Sequence, residues 1–238
     1  MVSDVRWHPV ADVAELERTA CRLIIDAAER AIKKRGKFLI VLAGGNTPRG
    51  VYRLLRDQNA DWPHWNVYFG DERCLQADDP RRNSRMASDE WLRHVPIKHD
   101  RVHPIPAELG AAAGALAYAN TLSNVSEFDL VLLGLGDDGH TASLFPNQDW
   151  GTAADAPPVL AIFNARKPPP ERVSLSANRL SGAREILFLV AGDSKRDSVM
   201  RWRAGENIPA RAIDPPSGVD VLIESKLLSD ARSARAAP

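Results

Sequence analysis

The residue best suited to move a proton at neutral pH is His140, in the segment GLGDDGHTASLFP spanning 134–146. Imidazole titrates near neutrality, and a neighbouring carboxylate such as Asp138 can fix its tautomer and raise its basicity. The segment follows an apolar run, Phe128 to Leu133, that reads as a buried strand. Its first six residues also fit a dinucleotide fingerprint, but Asp137 and Asp138 fill the intervening positions, where they would repel a pyrophosphate. The acidic residue expected about twenty positions later at the next strand end is missing too, since Asp155 precedes that strand. A nicotinamide cofactor is therefore not expected. Ser143 lacks a G-x-S-x-G elbow, which argues against a serine hydrolase. Asp138 and His140 lack H-E-x-x-H or a cysteine cluster, which argues against a metal site. A structural histidine is the alternative reading, and it is the one assumed for His8, His64, His94, His99 and His103.

Two further motifs sit at strand ends. Gly44-Gly45-Asn46-Thr47-Pro48 follows the run Phe38 to Leu42. Paired glycines let a ligand approach the backbone, Thr47 is an expected helix N-cap, Pro48 suits the first helical position, and free N–H groups there favour phosphate. A plain capped turn has the same pattern, and the lysine of a triphosphate-binding loop is missing. Asp71-Glu72-Arg73 follows the run Trp65 to Phe69; in isolation it reads as a solvated turn or local ion pair. Arg172, after a proline-rich loop, and Lys195, just past a strand, would complete a site for a dianionic phosphate if both converge on the Gly44–Thr47 turn.

The elements that must position these groups alternate. Val13–Arg35 carries apolar residues at helical spacing and stops at Gly36; helices are also expected over 50–57, 84–94 and 111–122. Strands are expected over 38–42, 65–69, 128–133, 159–163, 173–175, 186–190 and 219–223. Alternation of apolar strands and amphipathic helices indicates an α/β fold with a doubly wound, largely parallel sheet. In such a sheet ligands bind outside the carboxyl ends of the strands, where these motifs lie. One domain over 1–238 is expected, with proline-rich loops rather than linkers and a frayed tail over 230–238.

The 31 basic residues balance the 31 acidic ones, so no global field favours nucleic acid or an anionic membrane. No apolar run approaches a membrane span and the first residues do not resemble a signal peptide. Cys21 and Cys74 read as reduced thiols, the location as cytoplasmic, and the sequon at Asn124 as accidental. Oligomeric state has no sequence signature here.

Taken in order, the segments 44–48, 71–73, 134–146, 167–175 and 192–195 resemble the 6-phosphogluconolactonases, relatives of the glucosamine-6-phosphate deaminases. The resemblance implies a modified Rossmann-like fold with helices on both faces, a sugar-phosphate substrate, and no metal or nucleotide cofactor. It implies hydrolysis of 6-phospho-D-glucono-1,5-lactone in the oxidative pentose phosphate pathway, with His140 as the base, Asp138 behind it, and Asp71 as a third site residue. Gly44, Gly45, Asn46, Thr47, Arg172 and Lys195 are the phosphate-binding candidates, and Arg73 and Asn83 are further substrate-site candidates. Deaminases carry a glutamate in an Asn-Glu-Pro segment after Asp-Gly-His; here the stretch is Leu144-Phe145-Pro146, which favours the lactonase. Two departures are Arg82-Asn83-Ser84, where many lactonases have Ser-Asn-Tyr, and Val219-Asp220-Val221 in place of a more apolar, aromatic segment.

Overall fold

A computed structural model describes residues 4–229; the tail expected to fray lies outside the described residues. The strands are β1 (Val5–Val10), β2 (Phe38–Leu42), β3 (Trp65–Phe69), β4 (Asp71–Arg73), β5 (Leu130–Gly134), β6 (Val159–Ile162), β7 (Arg172–Leu175), β8 (Glu185–Val190) and β9 (Val219–Glu224). The α-helices are α1 (Val13–Arg35), α2 (Asn46–Arg56), α3 (Asn83–Glu90), α4 (Ala111–Thr121), α5 (Ala177–Ser181) and α6 (Arg196–Arg203). Six strands form a parallel sheet in the order β1-β9-β8-β5-β2-β3, an α/β arrangement of the Rossmann-like kind.

Local chemistry explains the elements that matter for the site. All five residues of β2 are buried, as a strand covered on both faces requires. At the start of α1 the Asp12 carboxylate accepts the Glu15 N–H at 2.8 Å, and Glu15 in turn accepts the Ala11 N–H at 2.7 Å. The helix ends on Gly36, whose φ of 72° is left-handed. The chain leaves β2 for β3 on one side, whereas β5, β8 and β9 succeed one another on the other side. The order therefore reverses between β2 and β5, and a crevice opens outside their carboxyl ends.

Several expectations need correction. The strands expected over 159–163 and 173–175 do not join the parallel sheet; β6 and β7 pair antiparallel with each other, and β7 pairs with β4, in a separate three-stranded sheet. The link between β6 and β7, residues 163–171, carries no helix, and a parallel crossover needs a dozen or more residues. β1 is not among the expected strands; Pro9 interrupts its sequence, and it lies at the sheet edge, where a missing N–H is tolerated. α2 begins at Asn46 rather than Gly50, and its N-cap is Gly45 with a φ of 110°, not Thr47. Thr47 and Pro48 are the second and third helical residues, where an N–H has no intrahelical partner and proline is harmless. The helix expected over 84–94 stops at Glu90, breaks at Trp91, and resumes as a single 3-10 turn, Leu92–His94. Trp62, Trp65 and Trp91 contact one another, and Trp202 lies against Trp7 and Phe188.

Candidate active site

A cavity of about 660 Å³ occupies the crevice. Its walls include Gly44, Gly45, Asn46 and Thr47 after β2, Asp71 and Arg73 on β4, Asn83 on α3, His140 after β5, Arg172 on β7 and Lys195 after β8. Asp138 stands behind the His140 ring rather than on the wall. Every residue singled out from the sequence is thus at this crevice or one hydrogen bond from it. The other histidines are elsewhere: His8 and His64 meet Asp220 and Asp61, His94 bonds the Asp89 carbonyl, and His103 stacks on Tyr68.

His140 Nδ1 lies 2.5 Å from Asp138 Oδ1, and the same oxygen accepts the His140 backbone N–H at 3.1 Å. Burial raises the Asp138 carboxyl, but those two bonds and the ring's charge outweigh it, and the net shift is downward. An ionised Asp138 can only accept, so Nδ1 carries the proton and Nε2 presents a lone pair. Burial pushes His140 below the ordinary histidine value, with Asp138 partly opposing it. The ring is thus held neutral and basic near neutrality. Gly136 makes its position possible, because a Cβ there would lie 2.0 Å from His140 Nδ1. The Gly136 N–H closes the turn on the His140 carbonyl at 2.7 Å, and the Phe145 ring lies 4.8 Å from the imidazole.

Asp71 and Glu72 are buried, not solvated. Asp71 accepts the Ser143 hydroxyl at 2.6 Å and the Asn83 amide at 3.0 Å. Glu72 accepts the backbone N–H groups of Arg73, Asn83 and Ser84, at 2.9, 2.7 and 2.8 Å, and so fixes the start of α3. Asn83 is thereby locked, and its Oδ1, buried without a hydrogen-bond partner, occupies the place a Gly44 Cβ would need. Ser143 was set aside in the sequence for want of an elbow; the fold uses it to orient Asp71 instead. Only its proximity to Asp71 in the folded chain reveals that role.

Four cations surround the same space. Arg73 and Arg172 are direct partners across β4 and β7, a like-charge pairing that costs stability unless something negative lies between them. Arg73 Nη1 donates to the Arg81 carbonyl. Arg172 Nη2 donates to the carbonyls of Lys167 and Pro168 at 2.9 and 3.1 Å, and Nε to that of Pro169 at 3.2 Å. Its Nη1 lies 4.0 Å from Asp71 Oδ2. Burial, then the nearby Lys167 ammonium, pushes Lys195 below the ordinary lysine value. Lys167, present in the quoted proline motif but not singled out, also lines the cavity and meets Asp137 at 2.6 Å. At α2 the first intrahelical bond runs from the Arg49 N–H to the Gly45 carbonyl, so the amides of Asn46 and Thr47 precede it at the cavity wall. Cations crowded around helix-start amides suit a multiply charged anion. Asp137, Asp138 and His140 bring donor atoms within 4.8 Å of one another, but Asp137 holds Lys167 and Asp138 holds the ring, so these donors are already engaged.

Residues 11–222 match the family described as glucosamine-6-phosphate isomerases/6-phosphogluconolactonase. The chain belongs to this family. A 6-phosphogluconolactonase from Synechocystis is 37% identical over 210 residues, covering 83% of this chain and 86% of that one. The 6-phosphogluconolactonase of Mycobacterium leprae is 33% identical, covering 94% and 96% of the two chains. Among solved structures, the 6-phosphogluconolactonase of Trypanosoma brucei superposes with a TM-score of 0.85 at 28% identity, covering 94% of this chain and 98% of that one. All the residues that line the crevice fall within the stretch this family model matches.

Proposed function

We propose that the chain is a 6-phosphogluconolactonase, opening 6-phospho-D-glucono-1,5-lactone to 6-phospho-D-gluconate in the oxidative pentose phosphate pathway, with His140 as general base and no metal. The observation that carries this reading is His140, backed by Asp138, at the wall of a cavity whose remaining walls hold Lys195, Arg73, Arg172 and the α2 amides. The phosphate is gripped by Lys195, the Nη1 end of Arg172 and the amides of the 44–47 turn, and this remote contact orients the ring. Water attacks C1 as His140 Nε2 takes its proton, and the carbonyl electron pair moves onto oxygen. As the tetrahedral intermediate collapses the C1–ring-oxygen bond breaks, the imidazolium returns the proton to that oxygen, and the new carboxylic acid ionises. Asp138 holds the tautomer and supports the transient positive charge, while Asp71 and Asn83 shape the floor.

Phe145, buried beside the imidazole, and Leu144 leave no carboxylate where a deaminase needs one. A cytosolic setting suits Cys21 and Cys74, free thiols that burial pushes up to about 11. Among the described residues no helix is long and apolar enough to cross a membrane. The test is hydrolysis of the phosphorylated lactone above its spontaneous rate, with chelator present, alongside ammonia release from glucosamine 6-phosphate. Accelerated hydrolysis without ammonia supports the reading; ammonia release without lactone opening overturns it.

A further inference from the structure

The proposed reaction places negative charge on the carbonyl oxygen of the tetrahedral intermediate, and an efficient site meets such charge with a fixed donor. Three of the four cavity cations have other settings. Arg73 reaches back to the Arg81 carbonyl. Arg172 is anchored through Nε and Nη2 to the loop carbonyls. Lys195 sits at the turn after β8, beside Gly192 and Ser194 on the cavity wall. Lys167 alone is hydrogen-bonded into the turn that carries the base, through Asp137, three residues before His140. Its backbone is not loose, because the Arg172 guanidinium accepts no slack there: it binds the carbonyls of Lys167, Pro168 and Pro169 together. Its ammonium end, on a half-exposed side chain at the cavity wall, is held at 2.6 Å by Asp137.

We propose that Lys167 is a catalytic residue, the cation that donates to the lactone carbonyl oxygen as water adds, with Asp137 holding its ammonium in the empty site. This rests on the lactonase reading. No bond to Lys167 forms or breaks; it stabilises the oxyanion and releases it when the carbonyl re-forms. Its charge is also near enough to His140 to disfavour the imidazolium. The charged groups facing that ring are Asp138 on its own turn, Lys167 on the β6–β7 loop and Asp71 on β4.

The experiment is steady-state lactone hydrolysis by the wild type, Lys167→Met and Lys167→Arg over a range of pH, with folding checked by thermal melting. The expected result is a kcat about 10²–10³-fold lower in Lys167→Met, the scale of losing one oxyanion donor, with KM near wild type. Lys167→Arg restores part of the rate. The acid limb of the Lys167→Met profile moves to higher pH, because the imidazole loses a repelling neighbour. A raised KM with unchanged kcat would place Lys167 on the phosphate and overturn the assignment, as would an unmoved acid limb. A wild type that fails to accelerate lactone opening removes the lactonase reading itself, a distinct outcome.

Discussion

His140 is under two opposed influences, and their order decides its pH behaviour. Burial disfavours the charged ring more than Asp138 favours it, so the folded value lies below the ordinary one of about 6.5. A base works only when deprotonated. The acid limb of kcat/KM is therefore expected below about pH 6.5, with activity full above it and lost as pH falls through it. A limb above that value would mean that the carboxylate, not burial, dominates. His140→Ala is expected to lower kcat by about 10²–10⁴-fold with substrate affinity retained. Asp138→Asn, which leaves a side chain of the same shape but removes the charge behind the ring, is expected to cost up to about 10⁴-fold in kcat with little change in KM. Stopped or steady-state kinetics on both variants check this. The pairing of these two residues was legible in the sequence because it depends on a short local spacing. Lys167 and Ser143 were not, because each acquires its partner through the tertiary fold: Asp137 lies thirty residues before Lys167, and Asp71 seventy-two before Ser143.

At the scale of elements, glycines separate stability from activity. Gly36 ends α1 in a left-handed conformation with open space where a Cβ would go, far from the cavity wall. Gly36→Ala is expected to cost roughly 1–2 kcal/mol of stability, the price of a left-handed L-residue, and to leave kcat/KM unchanged. Gly136→Ala places a methyl 2.0 Å from His140 Nδ1, so it should abolish most activity by moving the ring. Thermal melts and kinetics on the two variants together test the distinction. Strands β2 and β3 were readable from continuous apolar runs, and α1 from its periodicity and its glycine stop. β6 and β7 read equally well as strands, but their sheet did not. An apolar run specifies burial, whereas the partner strand is chosen by the length of the connection and by what else the fold leaves unpaired. That small sheet matters for the site because it sets Arg73 opposite Arg172 and seats Asp71 on the cavity floor.

At the scale of the molecule, a formal net charge of +0 gives no general attraction for anions, so affinity for a sugar phosphate must come from the converging cations and amides. A ligand that binds only the folded state at a hundred times its Kd adds about 2.7 kcal/mol of stability. For a chain of this size that is a rise of roughly 5–10 °C in Tm. 6-Phosphogluconate is expected to give it and gluconate is not; equal effects would remove the phosphate grip. The crevice was legible as a whole because three motifs fell at the carboxyl ends of successive strands, and a doubly wound sheet brings such ends together. The measurement that bears most directly on this account is the rate of 6-phosphogluconolactone opening at neutral pH with chelator present, for wild type and His140→Ala, against the spontaneous rate. The account predicts strong acceleration by the wild type and loss of most of it in the variant; equal acceleration by the two proteins would contradict it.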